Sequence, residues 1–118
     1  MNKTKSFLLA KKFLGKKVRI IIDRPLGSKH PKHNFIYKCN YGYVPKVIAP
    51  DGEELDAYCL GTNESIEEIV GKCIAIVHRI DDDDDKLVVV PLGLEMDNDE
   101  IEKAIEFQEK WFTYKLVR

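Results

Sequence analysis

Short β-branched and aromatic runs, separated by clusters of Gly, Pro and Asp, fill most of the chain, and a helical period appears only near its end. Residues 17–23, Lys-Val-Arg-Ile-Ile-Ile-Asp, predict a strand. Arg24–Asn34, with two prolines, a glycine and five basic or His side chains, predicts a loop. Phe35–Ile48 is aromatic and β-branched around Gly42 and predicts a strand or a bent pair. Asp51-Gly52 marks a turn, with a strand over Leu55–Leu60 beyond it. Cys73–Ile80, preceded by Gly71, is answered by Leu87–Val90 across the acidic turn Asp81–Asp85, a hairpin with a long loop. Ile101, Ala104, Ile105, Gln108, Trp111 and Phe112 recur at helical spacing after a cap candidate, Asn98. The expected fold is mainly β: one OB-type barrel domain of five to six strands over residues 1–118, with a C-terminal helix.

With 118 residues, 44% hydrophobic and 33% charged, the composition is that of one globular domain rather than a disordered chain. Residues 1–50 hold twelve Lys/Arg against one acid, Asp23, whereas residues 51–118 hold seven against nineteen. Net charges of +11 and −12 thus hide inside a total of −1. One fold bringing a basic surface against an acidic one suits cations and a polyanion held at a single site. No apolar run approaches the ~20 residues of a membrane span, so a membrane partner is not expected. Phe7-Leu8-Leu9-Ala10 is too short for a signal segment, and Lys11-Lys12 follow it at once. Cys39, Cys59 and Cys73 are odd in number and widely spaced, which argues against a disulfide framework or a zinc knuckle. A cytoplasmic setting is the expectation.

Four groups of residues carry candidate chemistry. Asp51-Gly-Glu-Glu-Leu-Asp56 offers oxygen ligands about a tight turn, a set suited to a hard cation such as Mg²⁺, or else a solvated acidic turn. Asp81–Asp85 and Lys86 stand at the hairpin tip, where like-charge repulsion is relieved by solvent or by a bound metal. Lys29, His30, Lys32 and His33 form a basic loop that suits phosphate or nucleic acid. Tyr37, Tyr41, Tyr43 and Tyr58, and then Tyr114-Lys115, combine core rings with hydroxyls at the rim.

Taken together these segments resemble the family I soluble inorganic pyrophosphatases. Tyr37-Lys-Cys-Asn-Tyr-Gly-Tyr-Val-Pro45 and Asp51-Gly-Glu-Glu-Leu-Asp56 match two family motifs in order and separation. Ile22-Asp23-Arg-Pro-Leu-Gly-Ser28, Asp84-Asp85-Lys86-Leu87 to Pro91, and Tyr114-Lys115 are similar to three more. The match departs from the family at Glu53, which stands for Asp, and at Lys38 and Glu54, which stand for Pro. The acidic loop is about two residues short, and a Lys-Tyr-Glu hairpin that carries a phosphate-binding Arg has no counterpart between Ser28 and Tyr37.

The resemblance implies Mg²⁺-dependent hydrolysis of inorganic diphosphate, with Mn²⁺ as the alternative metal. It implies metal ligation by Asp51, Asp56 and Asp84, with Asp81 as a weaker candidate, and a water-activating role for Glu53. Lys86, Tyr41, Tyr114 and Lys115 are then expected on phosphate oxygens, with Lys29 and Lys32 as substitutes for the absent Arg. A homo-oligomer, a hexamer in bacterial members, is the expected assembly. Two alternatives stand beside this reading: a divergent metal-dependent phosphohydrolase or phosphate-ester binder, and an OB-type nucleic-acid module. Nucleic acid is the less favoured partner, because a strand-binding surface gains nothing from clustered carboxylates.

Overall fold

A computed structural model of the chain describes residues 4–118. Five strands, β1 (Lys17–Arg24), β2 (Asn40–Ile48), β3 (Glu54–Cys59), β4 (Glu68–Arg79) and β5 (Lys86–Pro91), close into a barrel. Its order is β1-β2-β3-β5-β4, and pairing of β1 with β4 seals the ring. All neighbours run antiparallel except β3 and β5, which are parallel. A sixth strand, β6 (Tyr114–Val117), adds to the far edge of β4. Two helices complete the fold, α1 (Lys5–Lys11) and α2 (Asn98–Glu109). This is the mainly-β, OB-type barrel with a C-terminal helix that the sequence predicts.

Side chains that alternate along the strands separate two apolar regions. Val18, Ile20, Leu55, Cys59, Leu87 and Val89 fill the barrel interior, which Phe7 and Ala10 of α1 join. Val88 and Val90 point the other way, to Tyr58, Leu60 and the α2 residues Ile101, Ile105 and Phe107. Because β5 is covered on both faces, Leu87 to Val90 is a continuous apolar run instead of an alternating one. Cys39, Cys59 and Cys73 are buried free thiols. Burial pushes the Cys59 thiol up to about 12, which keeps it protonated and inert.

Gly42 faces Ile22 across β1 and β2, where a Cβ would run into the carbonyl of Ile21. Glycine is therefore what lets these strands approach. Asn40, fully buried, ties three segments together. Its Oδ1 accepts from the Leu26 and Ile66 amides (2.9 and 3.3 Å), and its Nδ2 donates to Thr62 Oγ1 and the Glu64 carbonyl (3.0 and 2.8 Å).

Three local expectations are corrected, and one helix had no expectation in the sequence. Phe7–Ala10 belongs to α1, which is fixed where the Ser6 amide donates to Asp83 and Ser6 Oγ accepts from the Asp85 amide. The cap of α2 is Asp97, not Asn98, because Glu100 completes a capping box with Asp97. α2 ends at Glu109, so Trp111 and Phe112 lie beyond the helical face and are exposed. Phe35–Cys39 precedes β2 and touches the strands' pattern only through an isolated bridge between Lys29 and Ile36.

Candidate active site

The parallel seam creates the site. Ala57 pairs with Leu87 in register, so Asp56 on β3 and Lys86 on β5 lie side by side. Lys86 Nζ sits 3.2 Å from Asp56 and 3.3 Å from Asp84, over the ring of Tyr41. Lys86 is 3% exposed, and an ammonium that deep is tolerated only when paired. Both carboxylates keep about a third of their side-chain surface in solvent, so they are open to a ligand from outside. Burial, then the charges of Asp56 and Asp84, push the Tyr41 phenol well above its ordinary value. Tyr41 thus remains a neutral O–H donor. Asp23 faces the same space; its pKa is raised by burial, with Arg24 opposing and Asp56 adding to the effect.

These groups floor a cleft of about 640 Å³. Its polar lining includes Asp23, Arg24, Asp56, Arg79, Asp84 and Lys86, and its aromatic wall is Phe35, Tyr37, Trp111 and Phe112, with His30 and His33 beside it. Arg79, 3% exposed, is gripped from behind by Glu109, which is fully buried. Nε and Nη2 each donate to a Glu109 oxygen at 2.7 Å, and Nη1 donates to Asp82 at 3.2 Å. Desolvation disfavours the Arg79 charge, but the Glu109 carboxylate outweighs it and raises the pKa. Tyr58 donates to Glu109 (2.6 Å) and accepts from Gln108 (2.7 Å). Three carboxylates and three cations line the cleft, and one of those cations is already matched by Glu109. A polyanion entering there meets negative charge that a further cation has to offset.

Of the residues singled out in the sequence, Asp56, Asp84, Lys86 and Tyr41 meet in the cleft. Asp51 and Glu53 stand on the exposed β2–β3 turn, where Asp51 Oδ1 accepts from the Glu53 amide, and neither lines the cleft. Asp81 is exposed and accepts from the Thr113 amide, tying the acidic loop to the start of β6. Lys29 and Lys32 are exposed outside the lining, while His30 and His33 of the same loop reach it. Tyr114 is half-buried on β6 and Lys115 is exposed; neither lines the cleft. Asp23, Arg24, Phe35, Arg79, Gln108, Trp111 and Phe112 line the cleft without having been singled out for the site in the sequence. A usable signal for Arg79 was its position, a charged residue closing an apolar strand just before the acidic run.

The donors suit a hard metal ion in kind, since they are carboxylate oxygens with no thiolate nearby. Among the described residues no group of three or more His, Cys, Asp or Glu side chains is gathered to hold one. The fit is therefore a pair, Asp56 and Asp84, with Asp23 on the same wall and Lys86 standing between them.

Residues 11–115 match the sequence profile of the family described as inorganic pyrophosphatase. The chain belongs to that family. An inorganic pyrophosphatase of Rickettsia prowazekii is 27% identical over 95 residues, an alignment covering 63% of this chain and 55% of the relative. That of Rickettsia bellii is 26% identical over 95 residues, covering 63% and 54%. The chain thus spans about half the length of these relatives. Because 63% of this chain is fewer than 95 residues, the alignment crosses stretches of the relatives with no counterpart here. The pyrophosphatase fold is equally clear. The structure of an inorganic pyrophosphatase from Ehrlichia chaffeensis superposes with a TM-score of 0.65 at 16% identity, covering 86% of this chain and 85% of that one. One from Helicobacter pylori gives 0.64 at 14%, covering 84% and 82%.

Proposed function

We propose that the protein hydrolyses inorganic diphosphate to two phosphates in a Mg²⁺-dependent reaction, with Mn²⁺ as a substitute metal. The observation that carries this reading is the Asp56–Lys86–Asp84 cluster, held by the parallel seam at the floor of the cleft of a pyrophosphatase-family barrel. Asp56 and Asp84 would hold the metal, with Asp23 adjacent. Mg²⁺, when bound, would neutralise phosphate charge and acidify water. Lys86 would present its N–H groups to phosphate oxygens. Tyr41, kept protonated by its surroundings, adds an O–H donor, and the Arg24 guanidinium offers a planar fork at the rim.

Asp51 and Glu53 belong to the same hairpin as Asp56. Glu53 lies three residues upstream, about 10 Å of extended chain. Glu53 would accept the proton of the attacking water once the turn folds toward bound ligand. Lys29, Lys32, Tyr114 and Lys115 have outer roles in this reading, contributing to the field that draws in a polyanion. Assembly as a homo-oligomer and a cytoplasmic location are part of the same proposal. Of the described helices, none is long and apolar enough to cross a membrane.

The test is phosphate release from diphosphate with and without Mg²⁺, in wild type, Asp56→Asn and Glu53→Gln. Asp56→Asn is expected to fold normally and to lose at least ~10²-fold in turnover, because a ligand to the activating metal is removed. Near wild-type turnover at saturating Mg²⁺ would refute the metal role of Asp56. Unchanged turnover in Glu53→Gln would move proton acceptance away from the β2–β3 turn.

A further inference from the structure

The cleft is larger and more aromatic than a bare diphosphate requires. Its volume of about 640 Å³ lies within the range that encloses drug-sized organic ligands. α2 stops at Glu109, and the chain then turns Trp111 and Phe112 toward the cleft mouth, 58% and 37% exposed. Phe35 lies against Trp111 with ring centroids 5.5 Å apart, and His30 packs on Phe35 at 4.8 Å. Phe112 is covered on one side by the Arg79 guanidinium, 3.6 Å from its centroid. An aromatic platform therefore stands next to a floor that carries Lys86, Arg24 and three carboxylates.

We infer that this site accepts phosphate or diphosphate esters bearing a planar aromatic ring, such as nucleoside phosphates, with the phosphates on the Lys86 floor and the ring against Trp111 and Phe35. The inference rests on the proposed phosphate-handling role of that floor and adds the organic part of the ligand. Rings stack on aromatic side chains through their π-faces without needing a hydrogen-bond code, so ring preference exceeds base preference. The charge at one end and the flat apolar wall at the other match a ligand with one anionic and one aromatic end. A second copy of this chain would have to bury Arg24 and the cleft carboxylates against itself.

The chain contains a single tryptophan, so emission excited at 295 nm reports Trp111 alone. The full chain is titrated in Mg²⁺ with two non-hydrolysable probes, α,β-methylene-ADP and ribose 5-(α,β-methylene)diphosphate, by fluorescence and by calorimetry. The adenine-bearing probe is expected to bind about tenfold tighter and to change Trp111 emission saturably. In Trp111→Ala the gap should fall to threefold or less while affinity for the ribose probe holds, since an exposed side chain is removed without touching the floor. Equal affinities in wild type, or a gap that survives Trp111→Ala, would overturn the inference. So would tighter, Mg²⁺-independent binding of a single-stranded oligonucleotide. Phosphate release from inorganic diphosphate is measured on the same preparation. Release without ring preference overturns this inference alone; ring preference without release supports it and overturns the hydrolytic reading.

Discussion

Replacing Glu109 by Gln removes one buried charge and leaves the shape of the side chain nearly unchanged. In the native protein Arg79 and Glu109 are 3% and 0% exposed and share two hydrogen bonds of 2.7 Å, and Tyr58 adds a third at 2.6 Å. Breaking a buried pair by removing one partner costs about 3–5 kcal/mol, because the remaining charge stays desolvated. Gln keeps one acceptor, and Asp82 lies 3.2 Å from Arg79 Nη1, so the low end, about 3 kcal/mol, is expected. For a chain of 118 residues this lowers Tm by roughly 12 °C, given about 2.1 cal/mol/K of unfolding entropy per residue. Urea unfolding should show the same loss in midpoint with an unchanged slope. The companion double variant, Arg79→Met with Glu109→Leu, should recover most of the loss, since paired apolar side chains leave no charge behind. A loss below 1 kcal/mol in Glu109→Gln would mean that Asp82, Asp84 and solvent already neutralise Arg79. The Arg79–Glu109 pair would then have no part in holding the cleft wall.

Asn40→Asp should destabilise by about 2–3 kcal/mol in urea, because two donated hydrogen bonds are lost and a carboxylate oxygen is set against the Glu64 carbonyl. His30 should titrate below 6.5 in an NMR pH series: burial, then the neighbouring charges of His33, Arg24 and Lys32, disfavour its cation. Its Nδ1 also accepts from the Lys32 and His33 amides at 3.0 Å, which protonation forbids. Because the folded pKa is depressed, the unfolded chain binds the proton more readily. The stability due to this turn is present above pH 6.5 and lost as pH falls through the folded value, seen as faster amide exchange at residues 32 and 33.

The barrel was legible because each strand carries its own β-branched run bounded by Gly, Pro or Asp, a local signal. The capping of α2 was nearly so, and only the identity of the N3 residue decided between Asp97 and Asn98. What sequence could not show is which of several nominated groups converge. Asp56 and Lys86 are thirty residues apart, and only the β3–β5 register makes them neighbours. In the basic loop lysine and histidine alternate too closely for composition to tell them apart. The turn held by His30 and the left-handed Asn34 aims the histidines at the cleft and the lysines at solvent. Trp111 and Phe112 continued a helical period past the point where the backbone leaves the helix, so their place on the cleft wall was hidden behind a helical assignment.

The parallel β3–β5 seam also governs when the site comes into being as the chain folds. The antiparallel pairs β2–β3 and β4–β5 can form as local hairpin-like units. β3 and β5 cannot meet until the whole of β4 has been threaded between them in sequence and brought back alongside. Pairing over that separation costs more loop-closure entropy than closing a hairpin and comes later. Asp84 and Lys86 therefore remain apart from Asp56 in any chain that has built its hairpins but has not joined β3 to β5. Such intermediates would hold no phosphate. Ligand binding thus adds its free energy only to states in which the β3–β5 seam has formed.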